Sequence, residues 1–121
     1  IENQPSLKNP KMKAVADTLF HWFLIRGLID KKNNTNIKNV IYCSPSNKLK
    51  IDEDNTVKLL SKTKNDTEKY KITKKLGIQY CQQLIKNDEI FKIKFNSFKK
   101  KDDLADAFLQ GIFYIKIKNK N

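Results

Sequence analysis

The sequence predicts an α/β fold, because segments with helical periodicity alternate with short apolar segments typical of strands. Three segments carry apolar residues every three or four positions, at about 11–26, 67–86 and 102–114. This spacing places the apolar side chains on one face of a helix. Two shorter segments, 40–43 and 90–95, are rich in β-branched and aromatic residues, as strands are. We therefore expect helices packed on a sheet.

The first predicted helix runs from about Lys11 to Arg26, with Gly27 well placed as its stop. Residues 19–25 are apolar nearly all round, which is typical of a helix buried on more than one side. His21 lies in this segment, and no second histidine or carboxylate flanks it. We assign this histidine a packing or interface role and no catalytic role.

A polar connection at 30–38 precedes the predicted strand at 40–43, which Ser44 and Pro45 end. Lysine, asparagine, aspartate and threonine dominate from 46 to 68. Such a stretch is too long for an ordinary connection, so we expect a flexible polar loop. It either becomes ordered on DNA or is a solvated insertion.

The second predicted helix runs from about Thr67 or Tyr70 to Lys86. Its first half concentrates lysines, at Lys69, Lys71, Lys74 and Lys75. Positive charge near the start of a helix opposes the helix dipole, so these lysines need compensation. Phosphate groups would supply it. Alternatively, the lysine stems cover the core while their ammonium groups stay in water.

Three acids open the last predicted helix, which runs from about Asp102 to Tyr114. Asp103 and Asp106 are three residues apart and would share one helix face. Acids in a first turn also cap a helix and complement its dipole. However, two close carboxylates repel, and a hard divalent cation relieves that repulsion through oxygen ligands. Such a cation needs further ligands from elsewhere in the chain.

A further acid, Glu2, follows an apolar residue and precedes a proline turn, as at the end of a strand. Together, Ile-Glu-Asn-Gln-Pro at 1–5 and Asp-Asp-Leu-Ala-Asp-Ala-Phe at 102–108 resemble motifs of the RuvC-type Holliday junction resolvases. These enzymes belong to the ribonuclease H-like superfamily, and the resemblance is greatest to those of large cytoplasmic DNA viruses such as poxviruses. The segment 39–45 is similar to the family's strand that ends in Ser-Pro, and 70–75 to its basic segment.

The resemblance implies an α/β ribonuclease H-like fold and two-metal hydrolysis of phosphodiester bonds. Glu2, Asp103 and Asp106 would be catalytic metal ligands, and Asp102 would be a cap or an outer-shell group. Mg²⁺ is the expected ion, with Mn²⁺ as a substitute. The family carries another catalytic Asp on an earlier strand, which this chain lacks. We therefore expect residues 1–121 to be a single resolvase domain, incomplete at its amino terminus, with a partial sheet.

The resemblance also implies an endonuclease that resolves four-way DNA junctions in recombination or viral genome processing. Lys71, Lys74 and Lys75 would then contact phosphates of branched double-stranded DNA, and a homodimer would make paired cuts. For a viral protein, the expected location is the host cytoplasm at sites of viral DNA replication. Two alternatives stay open: a catalytically silent junction-binding relative, and another nuclease of the same superfamily.

The composition agrees with a polyanionic partner. The formal net charge is +12, and 25 residues are basic. Lysines that meet phosphates release condensed counterions, although an AT-rich genome would also encode a chain rich in lysine, asparagine and isoleucine. Arg26 is the single arginine. This scarcity argues against dense base readout, which arginine performs best.

Cys43 and Cys81 are too few and too far apart for a zinc site, and each lies among apolar residues. We expect buried, reduced thiols. No apolar run reaches about 20 residues, and no signal peptide opens the chain. These features predict a soluble intracellular protein that does not insert into membranes.

Overall fold

The computed structural model describes residues 1–30, 36–63 and 65–118, and for 117 and 118 it describes the helical backbone only. The described residues form five α-helices: α1 (Pro10–Phe23), α2 (Glu53–Leu60), α3 (Asp66–Leu84), α4 (Glu89–Ser97) and α5 (Lys101–Lys118). A π-helical turn, Leu24–Ile29, follows α1, and a 3₁₀ helix, Pro45–Asp52, precedes α2. The chain divides into two compact units, Ile1–Pro45 and Ser46–Asn121.

The predicted α/β fold is wrong, because the described residues contain no strand and no sheet. The predicted strand at 40–43 reduces to a single parallel bridge between Glu2 and Cys43. The predicted strand at 90–95 is the helix α4. Asp88 starts this helix by accepting a hydrogen bond from the backbone N–H of Phe91 at 3.0 Å. In so short a segment, alternating apolar residues and lysines are compatible both with the two-residue period of a strand and with the 3.6-residue period of a helix.

The resemblance to RuvC-type resolvases is wrong for the same reason. A ribonuclease H-like fold is built on a sheet, and the described chain is helical. Glu2 lies in this isolated bridge and not at the end of a strand. The bridge is made by two backbone hydrogen bonds, Asn3 N–H to Cys43 O and Cys43 N–H to Ile1 O, each 2.8 Å long. The similar motifs are only a few residues long.

In the unit Ile1–Pro45, α1 is the element against which Tyr42 packs. Asn9 caps this helix by accepting a hydrogen bond from the backbone N–H of Met12, and Pro10 occupies its first position. Tyr42 stacks on Phe20 with ring centroids 4.4 Å apart. Its hydroxyl donates a hydrogen bond to Asp17 Oδ1 at 2.5 Å. The helix was predicted to stop at Gly27, but it continues as the π-helical turn to Ile29.

In the unit Ser46–Asn121, α3 and α5 pack together and α2 and α4 pack against them. Eight buried residues form one core: Leu49, Leu76, Tyr80, Cys81, Ile85, Phe95, Ala105 and Leu109. Gly77 faces α5, where a Cβ at this position would lie 3.5 Å from Asp106 Oδ1. The two long helices thus form the centre of this unit.

The stretch 46–68 differs from the expected flexible loop, since its described residues include the 3₁₀ helix, α2 and the start of α3. Asp52 caps α2 by accepting from the backbone N–H of Asn55 at 3.3 Å. The buried Tyr80 hydroxyl lies 3.0 Å from Thr56 Oγ1 and fastens α2 to α3. Of the predicted polar connection at 30–38, residues 31–35 lie outside the described residues.

Candidate nucleic-acid interface

The start of α3 supplies its own negative charge. Asn65 caps the helix by accepting a hydrogen bond from the backbone N–H of Glu68 at 2.8 Å. Asp66 and Glu68 lie in the first turn, where acids complement the helix dipole. Phosphate is therefore not needed to offset the dipole. The lysines that follow are available for other partners.

Lys71 and Lys75 are four residues apart on α3 and lie on the face opposite the buried Leu76 and Tyr80. Both side chains are exposed. Neither forms an ion pair with another residue in the part of the chain that the structure describes. Two lysines on one face thus project into solvent, and their Cα atoms are about 6 Å apart along the helix axis.

Lys74 lies between these lysines and is held in place. Its Nζ donates a hydrogen bond to Asp102 Oδ2 at 2.6 Å and lies 5.0 Å from the centre of the Tyr70 ring. The Asp102 carboxylate, and then the Tyr70 side chain, raise the pKa of Lys74 above its ordinary value. Lys74 in turn lowers the pKa of Asp102. The pair stays charged and joins α3 to the first turn of α5.

This ion pair brings a second group of lysines to α3. Lys99 and Lys100 precede Asp102 by three and two residues, so their backbones lie within about 11 Å of it. Both are exposed. We call the group Lys71, Lys74, Lys75, Lys99 and Lys100 the lysine surface. Its members come from α3 and from the segment before α5, all within one compact unit.

The predicted metal ligands are arranged differently. Asp102 pairs with Lys74, Asp106 pairs with Lys48, and Asp103 is exposed. No group of three or more histidine, cysteine, aspartate or glutamate side chains within the described residues is placed to hold a metal ion. The ammonium groups of Lys48 and Lys74 already neutralise two of the three carboxylates, so these acids alone do not form a metal site, and the expected Mg²⁺ or Mn²⁺ stays a prediction.

Glu2, the remaining predicted ligand, lies in the other unit. Its Oε1 accepts a hydrogen bond from Gln4 Nε2 at 3.1 Å. The catalytic roles of Glu2, Asp103 and Asp106 stay predictions. Sequence reasoning did not find Lys48 and Lys74 as partners of these acids, because the partners are 58 and 28 residues apart in the chain.

One cavity among the described residues lacks the acids and histidines that commonly catalyse reactions. A cavity of about 200 Å³ lies between the end of α3 and α4. It is lined by Gln82, Ile85, Lys86, Lys92, Phe95 and Asn96. No carboxylate or imidazole lines it.

Cys81 is buried, and burial raises the pKa of its thiol, so it is a weak nucleophile. None of the described helices is long and apolar enough to cross a bilayer.

Comparison with known proteins finds a viral relative of this chain. No family model matches the chain, and no solved structure matches it. An uncharacterized protein of Acanthamoeba polyphaga mimivirus is 55% identical to it over 115 residues. The match covers 95% of this chain and 28% of the relative, so the chain spans little more than a quarter of that protein's length. A relative from a mimivirus is consistent with a viral origin of this chain.

Proposed function

We propose that this chain binds nucleic acid through the lysine surface of α3 and the segment before α5. The observation that carries the proposal is the exposed pair Lys71 and Lys75, which lack acidic partners among the described residues, beside the anchored Lys74. Phosphate backbones bind such surfaces because each neutralised phosphate releases a counterion. The net charge of +12 adds long-range attraction.

The mode of recognition follows from the residue types. The surface contains lysines only, and the single arginine, Arg26, belongs to the other unit. Lysine contacts phosphate as a point charge, whereas arginine reads guanine edges through two parallel hydrogen bonds. Binding through this surface is therefore expected to depend strongly on salt and weakly on base sequence.

Several finer predictions lie beyond this proposal. Cleavage of four-way junctions, a requirement for Mg²⁺, homodimer formation and a location in the host cytoplasm all stay predictions. The lysine surface supports binding of a phosphate backbone, and it contains no group that would activate water. We therefore propose the binding role, and the nuclease role stays a prediction.

The test measures affinity for a labelled 30-base-pair duplex by fluorescence anisotropy at several salt concentrations. The double variant Lys71→Gln/Lys75→Gln removes two charges from the surface. Its slope of log affinity against log salt should be shallower by about 1.8, since each phosphate contact contributes about 0.9. Weaker affinity with an unchanged slope would contradict the proposed phosphate contacts.

A matched control removes the same two charges elsewhere. Lys58 on α2 and Lys116 near the end of α5 are exposed and lie outside the lysine surface. Lys116 is fourteen residues beyond Asp102, about 21 Å along the helix. Lys58→Gln/Lys116→Gln should change the slope much less than the α3 pair does. Equal losses from both pairs would show that net charge, and not this surface, governs binding.

A further inference from the structure

Exposed aromatic rings lie beside the lysine surface. Tyr70 on α3 is 60% exposed, and Phe98 is 45% exposed directly before Lys99. Apolar rings of this size are usually buried, because each exposed ring forgoes a favourable transfer from water. Two of them next to one basic surface indicate a ligand that offers flat apolar groups as well as phosphates.

Phe98 brings a ring to the other group of lysines in this surface. It is the residue directly after α4, where the backbone is extended, and it directly precedes Lys99 and Lys100. Its ring is partly exposed, and both of these lysines are exposed. An exposed ring is thus followed at once by two ammonium groups.

Tyr70 brings a ring to the α3 side of the surface. The Lys74 ammonium group lies 5.0 Å from the ring centre, and Lys74 is itself fixed by Asp102. The ring is therefore held by a neighbour whose position is set. Most of its surface stays open to solvent. Such a fixed and exposed ring is a suitable platform for stacking, because little side-chain freedom remains to be lost on binding.

We infer that the lysine surface selects single-stranded nucleic acid over duplex, with unpaired bases stacked on Tyr70 and Phe98. This inference rests on the proposed function. Paired bases hide their faces inside the duplex, whereas every unpaired base offers a face to a ring, so stacking is tolerant of sequence. The lysines hold the backbone while the rings take the bases. We call these two rings the aromatic track.

Two exposed aliphatic side chains on α4 can be compared with the exposed rings. Ile90 and Ile93 on α4 are 80% and 70% exposed. Aliphatic groups beside lysines would suit an anionic membrane surface, into which they would insert. The aromatic track instead adjoins the lysine surface at both Tyr70 and Phe98. For this reason the observations favour nucleic acid as the occupant.

The experiment compares the affinity of a labelled single-stranded 20-mer with that of the matched duplex, at one salt concentration. The single strand should bind about tenfold more tightly. Tyr70→Ala and Phe98→Ala should each weaken single-strand binding by roughly 5- to 150-fold, the range for loss of one base–ring stack. Duplex binding should change little. Tyr70→Phe keeps the ring and should bind like the original chain.

Matched variants separate stacking from general apolar contact. Ile90→Ala/Ile93→Ala removes more exposed apolar surface than Tyr70→Ala and should leave single-strand affinity unchanged. Far-ultraviolet circular dichroism and thermal unfolding check that each variant keeps its helices. Tyr70 is the most informative position, because its side chain lies outside the core and its replacement does not threaten folding.

The outcomes distinguish the inference from the proposed function. Equal affinity for single strand and duplex, with the effect of Lys71 and Lys75 intact, would overturn the single-strand inference and leave phosphate binding in place. Salt-independent binding, or no binding to either nucleic acid, would overturn both. Binding to phosphatidylserine vesicles that depends on Ile90 and Ile93, without any single-strand preference, would replace the nucleic-acid occupant with a membrane.

Discussion

Lys74 Nζ donates a hydrogen bond to Asp102 Oδ2 at 2.6 Å, and this contact joins the first half of α3 to the first turn of α5. Asp102 was predicted as a cap or an outer-shell group of a metal site. In the structure it is the anchor that sets the position of the lysines around it. The contact therefore contributes to the stability of the unit and also holds Lys74 in the basic surface.

The first prediction concerns how this pair responds to pH. Lys74 lowers the folded-state pKa of Asp102, so the contribution of Asp102 to stability is present above its ordinary pKa of about 3.9 and is lost as pH falls through the lowered value. Asp102 raises the pKa of Lys74, so that contribution is present below about 10.4 and is lost as pH rises through the raised value.

Asp102→Asn should therefore lower the melting temperature at pH 7 and flatten its dependence on pH below about 4. The pair is partly exposed, so we expect a modest change. Thermal unfolding followed by circular dichroism from pH 2.5 to pH 8 measures both effects. Asp103→Asn is the matched control, since Asp103 is exposed and should affect neither quantity strongly. Identical pH curves for the two variants would contradict a stabilising role of the pair.

The second prediction uses the contrast between two glycines. A Cβ at Gly111, inside α5, would meet nothing within 4 Å. Gly111→Ala should therefore raise the free energy of unfolding by about 0.5–1 kcal/mol, because alanine loses less backbone freedom in a helix. Urea unfolding followed by circular dichroism measures the difference.

Gly27 is the contrasting position. A Cβ there would lie 2.8 Å from Ile37 Cδ1 and 3.2 Å from Ile37 Cβ. Gly27→Ala should be destabilising, by about 1–3 kcal/mol, since the Ile37 side chain must move out of a packed position. If both alanine variants were stabilising, the close approach of the π-helical turn to Ile37 would be wrong.

The third prediction concerns the hydroxyl of Tyr80. This buried group lies 3.0 Å from Thr56 Oγ1 and accepts a hydrogen bond from Asn55 Nδ2 at 3.2 Å. Tyr80→Phe keeps the ring and removes these contacts, so the free energy of unfolding should fall by about 1–2 kcal/mol. Tyr70→Phe removes an exposed hydroxyl and should change it by less than about 0.5 kcal/mol. Equal values for both variants would mean that the Tyr80 hydroxyl does not hold α2 to α3.

The helices found from the sequence are those with long apolar periodicity. The first, second and third predicted helices correspond to α1, α3 and α5, because fourteen or more residues allow the helical period to be recognised. α4 has only nine residues and α2 only eight. The sequence signals for these two short helices were the capping residues Asp88 and Asp52. The alternating apolar residues at 90–95 and the polar residues at 46–68 instead favoured a strand and a loop.

The candidate site was predictable only in part. Lys71, Lys74 and Lys75 were predicted as phosphate contacts, and the structure places them together on one end of α3. The pairing of Lys74 with Asp102 depends on how α3 packs on α5, and no local pattern encodes it. Spacing alone indicated that Asp103 and Asp106 share a face. It gave no information about the lysines that pack beside the acids, so it favoured a metal ion.

The last prediction concerns the titration of Tyr42. Its hydroxyl donates a hydrogen bond to the Asp17 carboxylate, which raises the pKa of Tyr42 to about 12. Absorbance at 295 nm should therefore show a late ionisation step near pH 12 that belongs to Tyr42. Because the folded-state pKa is raised, the contribution of this contact to stability is complete below about pH 10 and is lost as pH rises toward 12.

Asp17→Asn supplies the control for this titration. The amide still accepts the hydrogen bond but carries no charge, so the pKa of Tyr42 should return toward 10. Asp30→Asn removes an acid that pairs with Arg26 instead, and it should leave the late ionisation in place. Loss of the late step in both variants, or in neither, would mean that Asp17 does not control the ionisation of Tyr42.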